Sequence, residues 1–196
     1  MKRIIAAGFL ILLSLFPLVN GWSDEPKYHD KDLILDEARV PAYDLPPLLV
    51  SSEAKPISTP EEWFNLRRPQ IMALLGNLIY GIVPSPESSI RTTFEVVKTD
   101  RDIDAKRIAI MGHSKMGKAT LWTAAQDPRF ALASSAQSGC GGAALWKRNF
   151  GENMEKMVTR FPYWRCRNAG KFVNNEDDLP IDQHMLLACI APWPPM

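Results

Sequence analysis

Residues 107–126 read RIAIMGHSKMGKATLWTAAQ, and this stretch decides the fold of the chain. It opens with an apolar run, Ile108 to Met111, that predicts a short buried strand. It closes with a helix-like run from Ala119 to Ala125. Between the two lies a turn flanked by glycines, with Ser114 at its apex. A strand, a tight turn and a helix are the setting in which a serine becomes a nucleophile at the edge of an α/β sheet, so Ser114 is the candidate nucleophile.

The turn fits two functional motifs, each imperfectly. As a nucleophile elbow it reads G-x-S-x-x-G, one residue longer than the usual G-x-S-x-G, and the following helix would offer its N-terminal N–H groups to an oxyanion. As a phosphate loop, residues 112–119 read G-x-x-x-x-G-K-A, where Ala119 lacks the oxygen that the Walker pattern supplies to magnesium. A purely structural glycine turn is the third alternative.

A serine hydrolase of this kind also needs an acid and then a histidine later in the chain. The only histidine after Ser114 is His184. It lies in the helix-like run DQHMLL, whereas the base normally comes from a loop, so we interpret His184 as a helical histidine satisfied by neighbouring carboxylates.

The composition is that of an ordinary globular protein. It is 46% hydrophobic and 23% charged with a net charge of +1, which predicts neither a nucleic-acid surface nor an acidic tail. The three cysteines, Cys140, Cys166 and Cys189, allow at most one disulfide, and the scattered histidines predict no metal site and no cofactor.

Residues 1–21 predict a signal peptide. Lys2 and Arg3 form a positive start, residues 4–19 are mostly apolar, and cleavage is expected after Gly21. A retained membrane anchor is the alternative, but the run is shorter than the ~20 residues that cross a bilayer. We therefore expect export to the periplasm or the medium, no stable membrane association after cleavage, and a mature domain over 22–196.

The part before Ser114 predicts helices but few strands. Thr59 begins a capping box with a proline at the first helical position. A second helix is predicted from Pro69, ended by Gly81, with one apolar face formed by Ile71, Leu74, Leu75, Leu78 and Ile79. Residues 92–98 alternate enough for one strand. A doubly wound sheet needs several strand–helix–strand units, so this sheet is short of strands.

The part after the helix predicts a second parallel strand over 130–136. The glycine-rich loop 138–142 follows at its carboxyl end, where ligand contacts collect in α/β folds. Residues 143–175 mix aromatic and basic side chains, which predicts either a covering segment or a sugar-binding surface. Residues 179–191 predict an amphipathic helix.

These residues together resemble the glucuronoyl esterases of carbohydrate esterase family fifteen. The elbow GHSKMGK at 112–118 resembles that family's G-x-S-R-x-G-K. Further matching blocks follow in the same order: SGCGGAA at 138–144, RNFGE at 148–152, FPYW at 161–164 and LPIDQHM at 179–185. Residues 41–46, 61–63 and 80–81 are similar to the family's N-terminal region.

The resemblance implies a fold, an activity and site residues. The fold would be an α/β-hydrolase-like, doubly wound, mostly parallel sheet, and the activity would be serine carboxylic ester hydrolysis on glucuronic acid esters of glucuronoxylan or of lignin–carbohydrate linkages. Ser114 matches the nucleophile, and Lys115 replaces an arginine that helps to stabilise the oxyanion, keeping the charge but losing the fork of donors. Lys118 and Glu152 match positions that hydrogen-bond the sugar hydroxyls.

Departures from the family predict an incomplete version of it. Gln137 stands where many members have the acid of the triad, and the family's histidine lies in a later region that this chain lacks. The middle of the fold is also missing, which predicts an internal deletion near 97–100 and a chain with little or no activity of its own. The alternatives are a non-catalytic carbohydrate-binding remnant and an error in the gene model near Lys98.

Overall fold

The computed structural model of the chain describes residues 33–82, 104 and 106–192. The predicted signal peptide at 1–21, the strand at 92–98 and the join near 97–100 lie outside these residues. Within them, no helix is long and apolar enough to cross a membrane.

A parallel pair of strands joined by a helix positions the candidate nucleophile. Strand β1 is Ala109–His113 and strand β2 is Leu132–Ala136, paired in register from Ala109 opposite Leu132 to His113 opposite Ala136. The connecting helix, Lys115–Gln126, packs against both strands. The predicted strand–helix–strand unit is therefore confirmed, although the helix begins four residues earlier than predicted because the turn before it is a single residue.

The prediction that β1 is buried is wrong for the part of the chain that the structure describes. Exposure alternates along the strand, and 79% of Met111 is exposed. The physical reason is that β2 is the only strand paired with β1 among the described residues, and the connecting helix covers one face.

One continuous helical segment precedes the sheet, where two helices were predicted. It comprises helix α1 (Pro60–Glu62), a π-helical turn (Trp63–Arg67), helix α2 (Arg68–Leu75) and a second π-helical turn (Gly76–Tyr80). The capping box at its start is confirmed, with Thr59 Oγ1 accepting from the Glu62 N–H at 3.2 Å. The helix predicted near Pro69 is α2, which begins at Arg68 and follows the π turn without a break; Pro69 lies in its first turn, where a missing N–H is tolerated. Gly81, at φ 89°, ends the segment as predicted.

The remaining elements pack around one core. We name the helix at Lys115–Gln126 α3; helix α4 is Met154–Arg160 and helix α5 is Gln183–Ile190. Short 3-10 helices lie at Glu37–Arg39, Pro162–Trp164, Arg167–Phe172 and Glu176–Asp178. Apolar side chains from the helices α2 to α5, from the second π turn and from the loop before α4 meet in the core. The large ones include Ile71, Leu75, Ile79, Leu121, Trp146, Met154, Met157, Met185 and Leu186. The apolar face predicted for the second helix is core, with Leu74 and Leu78 half-buried.

A buried carboxylate joins helix α5 to the loop before helix α4. Asp182 caps α5, which is why this helix begins at Gln183 rather than at the predicted residue 179. Its oxygens accept from the N–H groups of Gln183, Trp146 and Lys147 at 2.7, 2.8 and 3.2 Å. The residue is completely buried, so these three bonds are what make its burial tolerable.

The three cysteines are all free thiols. Cys140 and Cys189 are buried, and burial raises the pKa of both thiols, that of Cys189 to about 11. The structure thus contains none of the disulfides that the cysteine count allowed.

Candidate active site

Ser114 adopts the strained backbone conformation of a nucleophile elbow. It is the single residue between the end of β1 at His113 and the start of α3 at Lys115, with φ 53° and ψ −118°. Such a conformation costs a non-glycine residue about 1–3 kcal/mol and persists only where neighbouring bonds enforce it. Here the Ser114 N–H donates to the Ala136 carbonyl at 2.9 Å, and its own carbonyl accepts from the Lys118 N–H at 3.1 Å. The side chain is exposed, so a substrate can reach it.

Two glycines make the elbow possible. A Cβ on Gly112 would lie 2.5 Å from the Met116 carbonyl carbon and 2.7 Å from Thr120 Oγ1. A Cβ on Gly117 would lie 3.0 Å from the Ser138 Cβ. Strand, helix and the loop after β2 therefore approach one another without room for side chains. The extra residue in G-x-S-x-x-G is accommodated because Gly117 already lies inside α3, so the longer spacing does not change the turn.

The same geometry removes the phosphate-loop alternative. A phosphate loop surrounds its ligand with successive N–H groups of residues that precede a helix. Here α3 begins at Lys115, and residues 115–118 are helical. The lysine that would reach a phosphate, Lys118, instead donates from Nζ to the Ser138 carbonyl.

The structure brings together Lys118 and Glu152, the two residues predicted to bind substrate. Lys118 Nζ lies 3.8 Å from Glu152 Oε2; the lysine is 5% exposed, whereas the glutamate side chain is 38% exposed. Burial lowers the pKa of Lys118 in spite of the opposing effect of Glu152. The two side chains thus present a cation and a carboxylate side by side, and their predicted role in binding sugar hydroxyls stays a prediction.

An open cavity of about 450 Å³ borders the first turn of α3. Its lining is aromatic and cationic: Tyr80, Lys115, Lys118, Ala119, Trp122, Tyr163, Trp164 and Arg165. Lys115, predicted to assist at the oxyanion, places its ammonium 5.1 Å from the centre of the Trp164 ring, within cation–π range. The predicted oxyanion role of Lys115 stays a prediction.

Sequence reasoning missed two residues of this cavity, Tyr80 and Arg165. The Tyr80 ring stacks on Trp122 with centroids 4.5 Å apart, and its hydroxyl donates to the Gly141 carbonyl at 3.2 Å. The Arg165 guanidinium lies 5.3 Å from the centre of the Tyr80 ring. No sequence motif predicts either residue, because the two lie 85 residues apart in the sequence and come into contact only in the folded chain.

The glycine-rich loop at 138–142 serves the cavity through its carbonyl groups. The Ser138 carbonyl accepts from Lys118, and the Gly141 carbonyl accepts from Tyr80 and from Arg165 Nη2, the latter at 3.0 Å. Gly139 and Gly141 have positive φ, and a Cβ on Gly139 would lie 3.0 Å from Glu152 Oε2. The loop predicted to collect ligand contacts therefore holds the cavity side chains in place.

The basic and aromatic segment 143–175 contributes side chains both to the core and to the cavity, which confirms the covering role, while the sugar-binding role stays a prediction. Trp146 is 1% exposed and belongs to the core. Phe161 and Trp164 stack with centroids 4.0 Å apart, and Trp164 faces the cavity. Tyr163, 97% exposed, stands at the cavity edge.

The described histidines contact partners other than Ser114. His113 Nε2 lies 2.8 Å from Gln137 Oε1, and His184 Nε2 lies 3.0 Å from the Pro46 carbonyl. His184 is held in helix α5 as predicted, but its hydrogen-bond partner is a backbone carbonyl rather than a carboxylate, because Pro46 lies against the histidine. Within residues 33–82 and 106–192, no side chain hydrogen-bonds to Ser114 Oγ.

The sequence is similar to a known protein family and to several characterised proteins. The family model described as glucuronyl esterase, fungi, matches residues 89–194. The chain is 46% identical over 115 residues to the carbohydrate esterase MZ0003 of an unknown prokaryotic organism, covering 59% of this chain and 27% of that protein. It is 33% identical over 112 residues to the 4-O-methyl-glucuronoyl methylesterase of Podospora anserina, covering 54% of this chain and 23% of that protein. The chain thus spans about a quarter of the length of these relatives.

Solved structures share the fold. A promiscuous CE15 esterase from a marine bacterial metagenome superposes with a TM-score of 0.75 at 23% identity, covering 82% of this chain and 79% of that one. A glucuronoyl esterase from Solibacter usitatus gives a TM-score of 0.72 at 20% identity, covering 81% and 80%. A mutant glucuronoyl esterase from Sporotrichum thermophile, in complex with methyl 4-O-methyl-β-D-glucopyranuronate, gives 0.66 at 18% identity, covering 77% and 70%. These likenesses confirm the predicted α/β-hydrolase fold.

Proposed function

Because this chain belongs to the glucuronyl esterase family, we propose that it carries the nucleophile and the sugar-binding cavity of a serine esterase for glucuronic acid esters. The observation that carries the proposal is the backbone of Ser114, whose strained conformation presents an exposed hydroxyl at the N-terminus of a helix. Such strain is retained where function needs it.

In the proposed reaction, Ser114 Oγ attacks the ester carbonyl carbon and gives up its proton to a base. The carbonyl oxygen becomes an oxyanion that the N–H groups at the start of α3 stabilise, with help from the Lys115 ammonium. The ester C–O bond then breaks, and the alcohol leaves with a proton. Water attacks the acyl-serine next and releases the uronate, a proton and the free serine. Lys118 and Glu152 would bind the sugar hydroxyls during both steps.

The proposed substrates are glucuronate esters of glucuronoxylan or of lignin–carbohydrate linkages. Support comes from the names of the relatives, which are 4-O-methyl-glucuronoyl methylesterases, and from the uronate ester bound in the Sporotrichum thermophile structure. The cavity agrees with this chemistry, since aromatic rings pack on sugar faces and paired charges bind hydroxyls. We also propose export by the signal peptide at 1–21 and a single partial hydrolase domain over 22–196.

A second candidate function is carbohydrate binding without turnover. It is favoured by the two described histidines, which bond to Gln137 and to Pro46 rather than to Ser114. Loss of one member of a triad costs on the order of 10⁴ in rate or more, because the members act as a unit. On this reasoning the polypeptide alone binds methyl glucuronate and hydrolyses it slowly or not at all.

The test combines binding with chemical rescue. Methyl glucuronate is titrated into the purified full chain by calorimetry, and its hydrolysis is followed with and without added imidazole, which can replace a missing histidine base. The Ser114→Ala variant is the control that subtracts hydrolysis by imidazole itself. The proposed esterase site predicts binding, plus imidazole-dependent turnover that the Ser114→Ala variant lacks.

The outcomes separate the two candidates. Binding that is weakened in Glu152→Gln, with no Ser114-dependent turnover at any imidazole concentration, supports the binding function and rejects the esterase site. Absence of binding to wild type rejects both. Turnover without imidazole that depends on Ser114 would mean that the chain contains a base after all.

A further inference from the structure

The cavity beside the elbow carries more positive charge than its neighbours neutralise. Three of its lining residues are cations, namely Lys115, Lys118 and Arg165. Among the described carboxylates only Glu152 comes within ion-pair distance of any of them, at 3.8 Å from Lys118. Three positive charges therefore line a cavity with aromatic walls, and one carboxylate, that of Glu152, pairs with one of them from outside the lining.

Arg165 is held by two backbone carbonyls and has no carboxylate within ion-pair distance among the described residues. A guanidinium has five N–H donors, and here one on Nη1 goes to the Trp164 carbonyl at 2.7 Å and one on Nη2 goes to the Gly141 carbonyl at 3.0 Å. Its Nε is buried and has no partner among the described residues. Its charge lies between two aromatic rings, 5.3 Å from the centre of Tyr80 and 5.6 Å from that of Trp146. Burial also lowers the pKa of this guanidinium.

Lys118 and Arg165 are close enough to oppose each other. Each donates to a carbonyl of the same loop, at Ser138 and at Gly141, and the guanidinium adds to the effects that lower the pKa of Lys118. A ligand that carries a carboxylate would relieve this repulsion and would use donors that the carbonyls leave free. A neutral ester offers only a weak carbonyl acceptor in the same place.

We infer that the cavity, through Arg165, binds the free uronate anion more tightly than the neutral uronate ester. The inference rests on the proposed function, because it concerns the acid that ester hydrolysis releases. It adds that the site retains its product and that Arg165, outside the residues matched to the family's site, sets this preference.

The experiment compares three ligands on the full chain by calorimetry or by NMR titration: sodium glucuronate, methyl glucuronate and sodium acetate. We expect glucuronate to bind at least roughly tenfold more tightly than the methyl ester, the change typical of one added hydrogen bond between charged groups. Added salt should weaken glucuronate binding and leave methyl glucuronate binding nearly unchanged, because only the first is an ion pair. Acetate should bind far more weakly than glucuronate, since it lacks the sugar.

Variants assign the preference to Arg165. Arg165→Gln should reduce the acid-to-ester ratio to about one, while Arg165→Lys retains part of it. Arg129→Gln is the matched control, because Arg129 is an exposed arginine paired with Asp127 outside the cavity, and it should leave the ratio unchanged. If Arg165→Gln fails to fold, the salt dependence of the wild type still tests the preference.

The results distinguish this inference from the proposed function. Equal or tighter binding of the methyl ester would overturn the anion preference and leave the esterase site standing. Acetate binding as tightly as glucuronate would show a general anion site and would also overturn the inference. If neither glucuronate nor its ester binds, the proposed function fails, and the inference fails with it.

Discussion

Replacing Gly112 by alanine tests whether the elbow is packed as the structure shows. The new Cβ would lie 2.5 Å from the Met116 carbonyl carbon and 2.7 Å from Thr120 Oγ1. Met116 belongs to the first turn of α3, whose backbone also positions Ser114. The helix must therefore shift by about 1 Å, the gap between these distances and a relaxed contact of about 3.5 Å. Overpacking typically costs 1–3 kcal/mol, and we expect a loss of about 3 kcal/mol here, because backbone has to move rather than a flexible side chain.

Urea denaturation followed by circular dichroism measures this loss directly. Gly170→Ala is the matched control, since the nearest atom to its Cβ would be Val158 Cγ1 at 3.9 Å, and we expect it to change the free energy of unfolding by less than about 0.5 kcal/mol. If Gly112→Ala is no more destabilising than Gly170→Ala, strand β1 and helix α3 are not in the close contact described, and the elbow assignment of Ser114 loses its main support.

Substitutions at three further residues give independent predictions. Asp182→Ala should lower the free energy of unfolding by about 3–5 kcal/mol in urea denaturation, because buried N–H groups of Trp146 and Lys147 lose their acceptor, and Asp182→Asn should cost about half as much. Tyr80→Phe should lower the free energy of unfolding by about 1–2 kcal/mol in the same assay, since only the hydrogen bonds of the hydroxyl to Gly141 and Gln183 are lost. The ring still stacks on Trp122, so the shape of the cavity should be preserved. A variant as stable as the wild type would contradict these hydrogen bonds. Burial lowers the pKa of Lys118 from its ordinary value of 10.5, so the unfolded chain binds that proton more tightly and native stability rises with pH between the lowered pKa and 10.5. In urea denaturation at increasing pH, the free energy of unfolding of the wild type should therefore rise relative to that of Lys118→Met. A difference between the two free energies that does not change with pH would refute the burial of this ammonium.

The local part of the site could be predicted from sequence because its causes are local. The elbow needs a strand, two residues without side chains and a helix, and all of these lie between 107 and 126. The capping box at Thr59 and the end of the helical segment at Gly81 could also be predicted from the sequence, since each depends on residues within one helical turn. The prediction that Lys118 and Glu152 bind the sugar came from the family resemblance and stays a prediction; the structure places the two side chains 3.8 Å apart.

What the sequence did not reveal depends on contacts between distant segments. Tyr80 and Arg165 line the cavity because both donate to the Gly141 carbonyl. The residues next to each of them in the sequence give no indication of this shared contact. The burial of β1 was overestimated for a related reason. An apolar strand reads as buried on the assumption that strands flank it on both sides, and Met111 is exposed because only β2 pairs with it in the part described.

The bonds that hold Ser114 explain how the elbow keeps its conformation although neither histidine in the described part of the chain hydrogen-bonds to it. Its N–H is fixed by Ala136 and its carbonyl by the Lys118 N–H, so the nucleophile's geometry depends on β2 and α3 alone. Lys118 Nζ, in turn, is fixed by the Ser138 carbonyl in the loop that follows β2. None of these bonds involves a histidine. Elbow and cavity are therefore expected to form together and to bind a uronate even where turnover is absent. Binding and hydrolysis then become separable measurements on one protein, and Gly112→Ala, which displaces the helix that both depend on, is expected to weaken both.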